Sequence, residues 1–210
     1  MKAAATWIGL IIGAAALILQ ISLTVPARLA NGDTLIGAVI FFLTFYTILT
    51  NIMLVLIYVS DLWPRESLSW WRSPVTRGMM AATITLVGLF YHFVLAGTWN
   101  PQGWFKVADV ALHYVTPIFY LLWWVLFTWH GKLKFGDIPI MLLPSTIWLI
   151  YAMIRGAIVT EYPYPILEAH KLGYGTVAIN ILMVLVGVTV LCAVVVAIDK
   201  ALTRVDMPGP

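Results

Sequence analysis

The chain has 210 residues, of which 62% are hydrophobic and only 10% are charged, and its formal net charge is +3. Soluble domains are about 45–50% apolar and about 25% charged, so this composition excludes a soluble globular protein. A single cysteine excludes a disulfide framework and a thiol-pair redox centre. We interpret residues 1–210 as one all-α integral membrane domain, and the small net charge gives no reason to expect a nucleic-acid partner.

Six apolar segments follow one another along the chain, and each reaches the roughly 20 residues that a membrane-spanning helix needs. In chain order, we predict transmembrane helices at about residues 6–25, 35–60, 78–98, 110–129, 138–159 and 173–198. Proline, glycine, asparagine and charged residues fill the segments between them, as is usual for loops. The first apolar segment is longer than the core of about 7–15 residues in a signal peptide, so we expect it to be retained as a helix.

Lysine and arginine are distributed unevenly between the two sides of this six-helix arrangement. With the N-terminus in the cytoplasm, the cytoplasmic side carries Lys2, Arg65, Arg72, Arg77, Lys132, Lys134, Lys200 and Arg204. The outer side carries only Arg28, Lys106, Arg155 and Lys171. Cytoplasmic loops of membrane proteins are enriched in these residue types, so we predict that both termini are cytoplasmic. The short loops indicate a bacterial plasma membrane protein, with the endoplasmic reticulum as the alternative location.

Seven of the polar residues inside the spans are candidate site residues, and they come from five of the six segments. Charged and hydrogen-bonding side chains are costly in hydrocarbon, so they usually face a bundle interior, a cavity or a partner. They are Thr44, Thr47, Asn51, His92, His113, Arg155 and Asn180. Each has a structural alternative, either hydrogen bonding within and between helices or, for the arginine, an interfacial position. Together, at similar depth, they predict one pocket that opens towards the outer leaflet.

Asp109 and His113 are four residues apart, so both side chains lie on one face of the predicted fourth helix. A carboxylate that holds one ring nitrogen of histidine fixes the tautomer and leaves the other nitrogen available as a base. Asp109 also lies where a helix-capping residue would be expected, so the spacing leaves both roles open. Pro117 removes a backbone hydrogen bond and is expected to loosen the helix around His113.

Three blocks of the sequence resemble a known family of membrane proteins. They are Phe-Tyr-Thr-Ile-Leu-Thr-Asn at 45–51, Leu-His-Tyr-Val-Thr-Pro at 112–117 and Tyr-Pro-Tyr-Pro-Ile-Leu-Glu at 162–168. The chain is similar in these blocks to the androgen-induced gene one and androgen-dependent TFPI-regulating proteins and to their bacterial six-helix relatives. The blocks occur in the family order, and the likeness extends from the second to the sixth helix.

This resemblance implies an intramembrane hydrolase that cleaves fatty acid esters of hydroxy fatty acids with a threonine nucleophile and a histidine. The histidine that matches is His113. The aromatic-x-threonine pattern matches best at Thr47, and Thr44 is the alternative nucleophile because a similar pattern surrounds it. The substrate would be a membrane lipid, and no cofactor or metal is expected. The oligomeric state, the acyl chain and the alcohol remain open.

As a hypothesis, His113 takes the proton of the threonine hydroxyl, which attacks the ester carbonyl and forms an acyl-threonine. Asn51, His92, Arg155 and Asn180 are the expected substrate-binding residues. Asn51, Asn180 or His92 would donate hydrogen bonds to the oxyanion, and Arg155 or Lys171 would hold a lipid carboxylate. Counting of the helical rise places Thr47 about 10 Å deeper than His113, so their contact requires an earlier start of the fourth helix or a tilted bundle.

Non-catalytic functions are the alternative class. His92 and His113, on adjacent helices, would suit the axial ligation of a b-type haem. Intramembrane histidine and arginine also mark the pathways of small transporters and ion-binding sites, although the six segments show no internal duplication of the kind that many transporters carry. A lipid-binding protein without catalytic activity is a further alternative.

Overall fold

The structure, a computed structural model, describes residues 1–203, and within this range it contains helices and no strand. The all-α prediction is therefore confirmed, while Arg204 and the rest of the polar tail lie outside the described residues. The longer helices are α1 (Lys2–Ala30), α2 (Leu35–Thr44), α3 (Tyr46–Leu62), α4 (Pro74–Leu95), α5 (Gly103–Phe127), α6 (Phe135–Val159) and α7 (Tyr174–Ala201). Short helical segments occupy the loops at Glu66–Leu68, Ser69–Arg72, Pro165–Leu167 and Ala169–Leu172.

Five of these helices are long and apolar enough to cross a membrane, and α2 with α3 makes a sixth if the bent pair is counted as one span. Their outward faces carry exposed aliphatic side chains, such as Ile18 at 65% and Ile158 at 76% exposure. A soluble protein rarely exposes apolar surface of this extent. These features are consistent with a multi-pass membrane protein.

The prediction of one continuous second span at 35–60 is wrong, because the chain breaks at Phe45 and turns by 81° between α2 and α3. Phe45 adopts an extended conformation, with φ −75° and ψ 126°. No proline or glycine marks the break. Side chains from other elements bond to the backbone there, since Trp148 Nε1 donates to the Thr44 carbonyl at 2.9 Å and the Thr47 N–H points to the Tyr164 hydroxyl at 3.4 Å. Irregular backbone at membrane depth is tolerated where it is buried in protein in this way.

Two π-helical segments face each other across the bundle, one at Tyr91–Leu95 in α4 and one at Ala111–Val115 in α5. The second precedes Pro117, whose missing N–H cannot continue the α-helical hydrogen-bond pattern. The two helices lie close together at Gly88, where a Cβ would be in ordinary van der Waals contact with the His113 carbonyl oxygen, at 3.4 Å. Such π segments occur frequently at functional sites, since they re-aim side chains within a helix.

The fourth helix starts at Gly103 rather than at the predicted residue 110. His113 therefore lies in the third turn of α5 instead of the first, about 15 Å from its start at a rise of about 1.5 Å per residue. Asp109 likewise lies inside the helix, so it is not the capping residue, and the N-cap position belongs to Gln102. This earlier start, together with the bend at Phe45, places the α5 histidine level with the start of α3.

Ion pairs mark the two ends of the bundle. At one end Asp61 pairs with Lys2 at 2.9 Å and with Arg77, which joins the start of α1 to α3 and α4. At the other end Glu161 pairs with Arg28 at 2.8 Å and with Arg155 at 3.1 Å, which joins the end of α1 to the end of α6. The core between them is closely packed around aromatic residues from α3 and α5, including the fully buried Tyr120 and Trp123.

Candidate active site

Thr47 and His113 form the central pair of the candidate site. The Thr47 Oγ1 atom lies 3.2 Å from His113 Nε2, although the two residues are 66 positions apart in the sequence. Thr47 is in the first turn of α3, directly after the break at Phe45, and His113 is in the middle of the π segment of α5. The bend and the early start of α5 thus remove the depth difference that counting along straight helices predicted.

The other ring nitrogen of His113 faces only hydrogen-bond acceptors. Nδ1 lies 2.9 Å from the backbone carbonyl oxygen of Asp109 and 3.3 Å from the Oδ1 atom of the same residue. The carbonyl is the better placed acceptor, and the carboxylate is a close second neighbour. Because neither group can donate, Nδ1 carries the ring proton in neutral His113. Nε2 then presents its lone pair to the Thr47 hydroxyl, as a general base requires.

Tyr91 supports this arrangement from α4. Its ring stacks on the His113 ring, with centroids 3.9 Å apart and planes inclined by 15°. Its hydroxyl donates to Asp109 Oδ2. Asp109 is only 2% exposed, so this bond provides part of the compensation that a buried carboxylate needs. Asp109, Tyr91 and His113 form a connected unit that holds the imidazole in one orientation.

Asn51 holds the backbone of the nucleophile candidate rather than facing an open space. Its Nδ2 group donates to the Thr47 carbonyl at 2.8 Å and, more weakly, to the Leu112 carbonyl at 3.4 Å. Its Oδ1 atom accepts from the Thr116 hydroxyl at 2.5 Å. The side chain is 1% exposed and lines neither of the cavities at the site. Asn51 therefore connects the first turn of α3 to the π segment of α5.

Tyr164 contacts Thr47 from the loop between α6 and α7. Its hydroxyl lies 3.4 Å from Thr47 Oγ1 and 3.4 Å from the Thr47 backbone nitrogen. Burial raises the pKa of Tyr164, so the hydroxyl stays protonated and neutral over the physiological range. Thr47 is thus flanked by a histidine on one side and a phenol on the other.

Two cavities meet at this group of side chains. The larger has a volume of about 390 Å³ and extends towards Gln20, Thr24 and Arg28 on α1. The smaller has a volume of about 40 Å³ and has an apolar lining that includes Leu86, Val184 and Trp148. The residues shared by both linings are Thr47, Tyr91, Leu95, His113 and Tyr164. A ligand that fills both cavities would cross the Thr47–His113 pair.

The other residues predicted for the site lie elsewhere. The Thr44 hydroxyl donates to the Ile40 carbonyl at 2.7 Å and contacts the Tyr151 hydroxyl at 3.2 Å, so it has no contact with His113. Asn180 donates to the Ile166 carbonyl at 2.8 Å. Both residues link secondary-structure elements, and neither lines a cavity at the site.

His92 and Arg155 are also outside the cavities. His92 directly follows Tyr91 in the chain, but it is exposed, and its Nδ1 atom lies 3.1 Å from the Tyr114 hydroxyl. Arg155 bonds to the carboxylate and carbonyl of Glu161, and Lys171 pairs with Glu168 at 2.5 Å. Both ring nitrogens of His113 contact protein atoms, Nε2 facing Thr47 and Nδ1 facing Asp109. Axial ligation of a haem by His113 would therefore break one of these two contacts.

Sequence reasoning did not select Tyr91, Tyr164 or Arg28. Tyr164 lies in one of the blocks that carry the family resemblance, which was an available signal. Tyr91 is an ordinary aromatic residue of an apolar span, and only the π segment directs it to His113.

Within residues 1–203 no group of three or more histidine, cysteine, aspartate or glutamate side chains has an arrangement suited to a metal ion. Comparisons with protein-family models, with curated proteins and with solved structures found no match to this chain.

Proposed function

We propose that this protein is an intramembrane hydrolase of lipid esters, with Thr47 as the nucleophile and His113 as the general base. The observation that carries the proposal is the 3.2 Å contact between Thr47 Oγ1 and His113 Nε2, with Nδ1 facing two acceptors on Asp109. A nucleophile bonded to a base, which is itself oriented by a third group, is the general signature of an activated hydroxyl. The resemblance to the threonine hydrolase family points to the same pair.

The reaction begins with transfer of the Thr47 hydroxyl proton to His113 Nε2 as Oγ1 attacks the ester carbonyl carbon. The imidazolium that forms is stabilised by the Asp109 carboxylate next to Nδ1. When the tetrahedral intermediate collapses, the bond to the alcohol oxygen breaks, and His113 returns its proton to that oxygen. Water activated by His113 then hydrolyses the acyl-threonine and regenerates the free hydroxyl.

The two cavities support a substrate with an apolar part on each side of the ester bond. The surface of the smaller cavity is mostly apolar, although Thr47, His113 and Ser145 contribute to its lining, and such a surface suits a hydrocarbon chain. The larger one combines aromatic residues such as Phe41 and Phe105 with polar groups on α1, so it suits an amphipathic part and the water that deacylation consumes. A fatty acid ester of a hydroxy fatty acid has this division, as the family resemblance also implies.

We further propose that the chain crosses a bacterial plasma membrane six times, with α2 and α3 as one broken span and both termini in the cytoplasm. The distribution of lysine and arginine supports this orientation. The pairing of Lys2 with Asp61 is consistent with it, because it places the N-terminus and the loop after α3 at the same end of the bundle. The larger cavity then opens near the outer leaflet, where Arg28 lies.

The proposal is tested by reacting the purified protein with a fluorophosphonate probe and measuring the intact mass. The matched variants are Thr47→Val and Thr44→Val, which remove the same hydroxyl from neighbouring positions, together with His113→Ala. We expect one adduct on the wild type, retention in Thr44→Val and loss in Thr47→Val and His113→Ala. Peptide mapping would place the adduct on Thr47.

Two results would contradict the proposal. An adduct that persists in Thr47→Val but disappears in Thr44→Val would move the nucleophile to the other threonine. Absence of any adduct and of esterase activity in folded wild-type protein would mean that Thr47 is not an activated nucleophile.

A further inference from the structure

The proposed reaction places negative charge on the carbonyl oxygen of the ester, and this charge needs hydrogen-bond donors in an apolar environment. Removal of one such donor in a hydrolase typically lowers kcat by about 10²–10³-fold. The identity of the donors is therefore as important to the reaction as the base. The assignment of these donors rests on the proposed hydrolase function.

The polar side chains first expected to serve as donors are already bonded elsewhere. The Asn51 amide donates to two backbone carbonyls and is sealed from the cavities. The Asn180 amide donates to the Ile166 carbonyl, and His92 is exposed and contacts Tyr114. None of these three side chains lines a cavity beside Thr47.

Two groups with available protons lie directly beside the Thr47 hydroxyl. The first is the Thr47 backbone N–H, which is in the first turn of α3 and so has no carbonyl partner within the helix. The second is the Tyr164 hydroxyl, which lies 3.4 Å from both the nitrogen and Oγ1 of Thr47. Contacts of this length are weak, so both groups can turn to a better acceptor without losing a strong bond.

The Tyr164 ring is held in place by its neighbours. It packs edge-on against Phe45 and Phe90, with centroid separations of 6.1 Å to each, and against Trp148 at 5.7 Å. It lines both cavities, at the level where the ester bond of a ligand spanning them would lie. Burial keeps the phenol in its neutral form by raising the pKa of Tyr164, and only the neutral form can donate.

We propose that the Tyr164 hydroxyl and the Thr47 backbone N–H together bind the oxyanion of the tetrahedral intermediate. As Oγ1 forms its bond to the carbonyl carbon, the π electron pair of the carbonyl moves onto the oxygen, which accepts one hydrogen bond from each group. Tyr164 keeps its proton throughout, while the proton of Thr47 resides on His113 Nε2. When the intermediate collapses, the electron pair returns to form the acyl carbonyl, and the alcohol leaves with the proton from His113.

The test compares Tyr164→Phe with Tyr162→Phe, a matched control two residues earlier in the same Tyr-Pro repeat. Both variants and the wild type are assayed with p-nitrophenyl octanoate and with its thiono analogue, in which sulfur replaces the carbonyl oxygen. We expect kcat for the oxygen ester to fall by about 10²–10³-fold in Tyr164→Phe and to stay unchanged in Tyr162→Phe. Sulfur accepts hydrogen bonds poorly, so the preference of the wild type for the oxygen ester should be much reduced in Tyr164→Phe.

The outcomes separate this proposal from the proposed function. If the wild type cleaves neither ester and forms no adduct on Thr47, the hydrolase assignment itself fails. If the wild type is active and Tyr164→Phe retains its kcat, Tyr164 is not an oxyanion donor. A loss of kcat in Tyr164→Phe with an unchanged preference for the oxygen ester would also overturn the proposal, because it would indicate a purely structural role.

Discussion

Asp109→Asn tests whether the carboxylate next to His113 contributes to the proposed reaction through its charge. In the substituted protein the Asp109 backbone carbonyl remains 2.9 Å from Nδ1, so the tautomer of neutral His113 is retained. What is lost is the attraction between the carboxylate and the imidazolium that forms in the transition state. Two unit charges about 4 Å apart interact by about 4 kcal/mol at an effective dielectric constant of about 20. This energy corresponds to a decrease in kcat of about 10³-fold.

The assay is ester hydrolysis by protein reconstituted in lipid nanodiscs, with the rate of fluorophosphonate labelling as a second measurement. Asp137→Asn is the control, because Asp137 is half-buried, lies outside the linings of both cavities and caps a short turn through the Lys134 N–H. We expect hydrolysis and labelling to fall together in Asp109→Asn and to be unaffected in Asp137→Asn. If Asp109→Asn keeps the kcat of the wild type while its thermal stability changes, the carboxylate has only a structural role and the electrostatic reasoning is refuted.

The other predictions concern packing around the same residues. Asn51→Leu removes a buried amide that donates to the Thr47 carbonyl and accepts from the Thr116 hydroxyl. A net contribution of about 0.5–1.5 kcal/mol for each bond predicts a loss of about 1–3 kcal/mol in unfolding free energy, measured by denaturation in detergent, and a lower kcat; unchanged stability would contradict the role assigned to this amide. Gly88→Val adds two methyl groups beyond a Cβ that would already touch the His113 carbonyl oxygen at 3.4 Å. We expect these methyl groups to displace the π segment and to reduce kcat by about 10²-fold without loss of helix content, as circular dichroism would verify. Arg28→Gln removes partly exposed ion pairs, so the unfolding free energy should fall by no more than about 1 kcal/mol; a larger loss would show that α1 depends on this contact.

The helices were largely predictable because membrane spans follow from hydrophobic length alone. The six predicted segments overlap the six spans that result when α2 and α3 are counted together. The break at Phe45 was not predictable, because it has neither a proline nor a glycine and depends on bonds from Trp148 and Tyr164. The early start of α5 was missed for a different reason: its first residues include Lys106 and Asp109, which lower the local hydropathy.

The parts of the site that depend on residues close together along one helix were predictable from the sequence. The parts that depend on breaks and irregular turns in the helices were not. Asp109 and His113 are one helical turn apart, and the structure brings the carboxylate to 3.3 Å from the ring. The contact of Thr47 with His113 depends on the bend at Phe45, and the stacking of Tyr91 depends on a π segment that no sequence pattern marks. Depth counting along straight helices treated His92 and Asn180 as equivalent to His113, whereas rotation about each helix axis directs them to other partners.

Two polar clusters lie next to each other at Thr47, and the contrast between them supports catalysis over a purely structural role. The Asn51 cluster uses its polar atoms to link α3 to α5 and is sealed from both cavities. A structural cluster in a membrane bundle needs nothing more. The second cluster places the Thr47 hydroxyl, the Nε2 atom of His113 and the Tyr164 hydroxyl where both cavities meet. Thr47, His113 and Tyr164 each line both cavities, so the hydroxyl of Thr47 is open to a ligand, whereas Asn51 lines neither cavity.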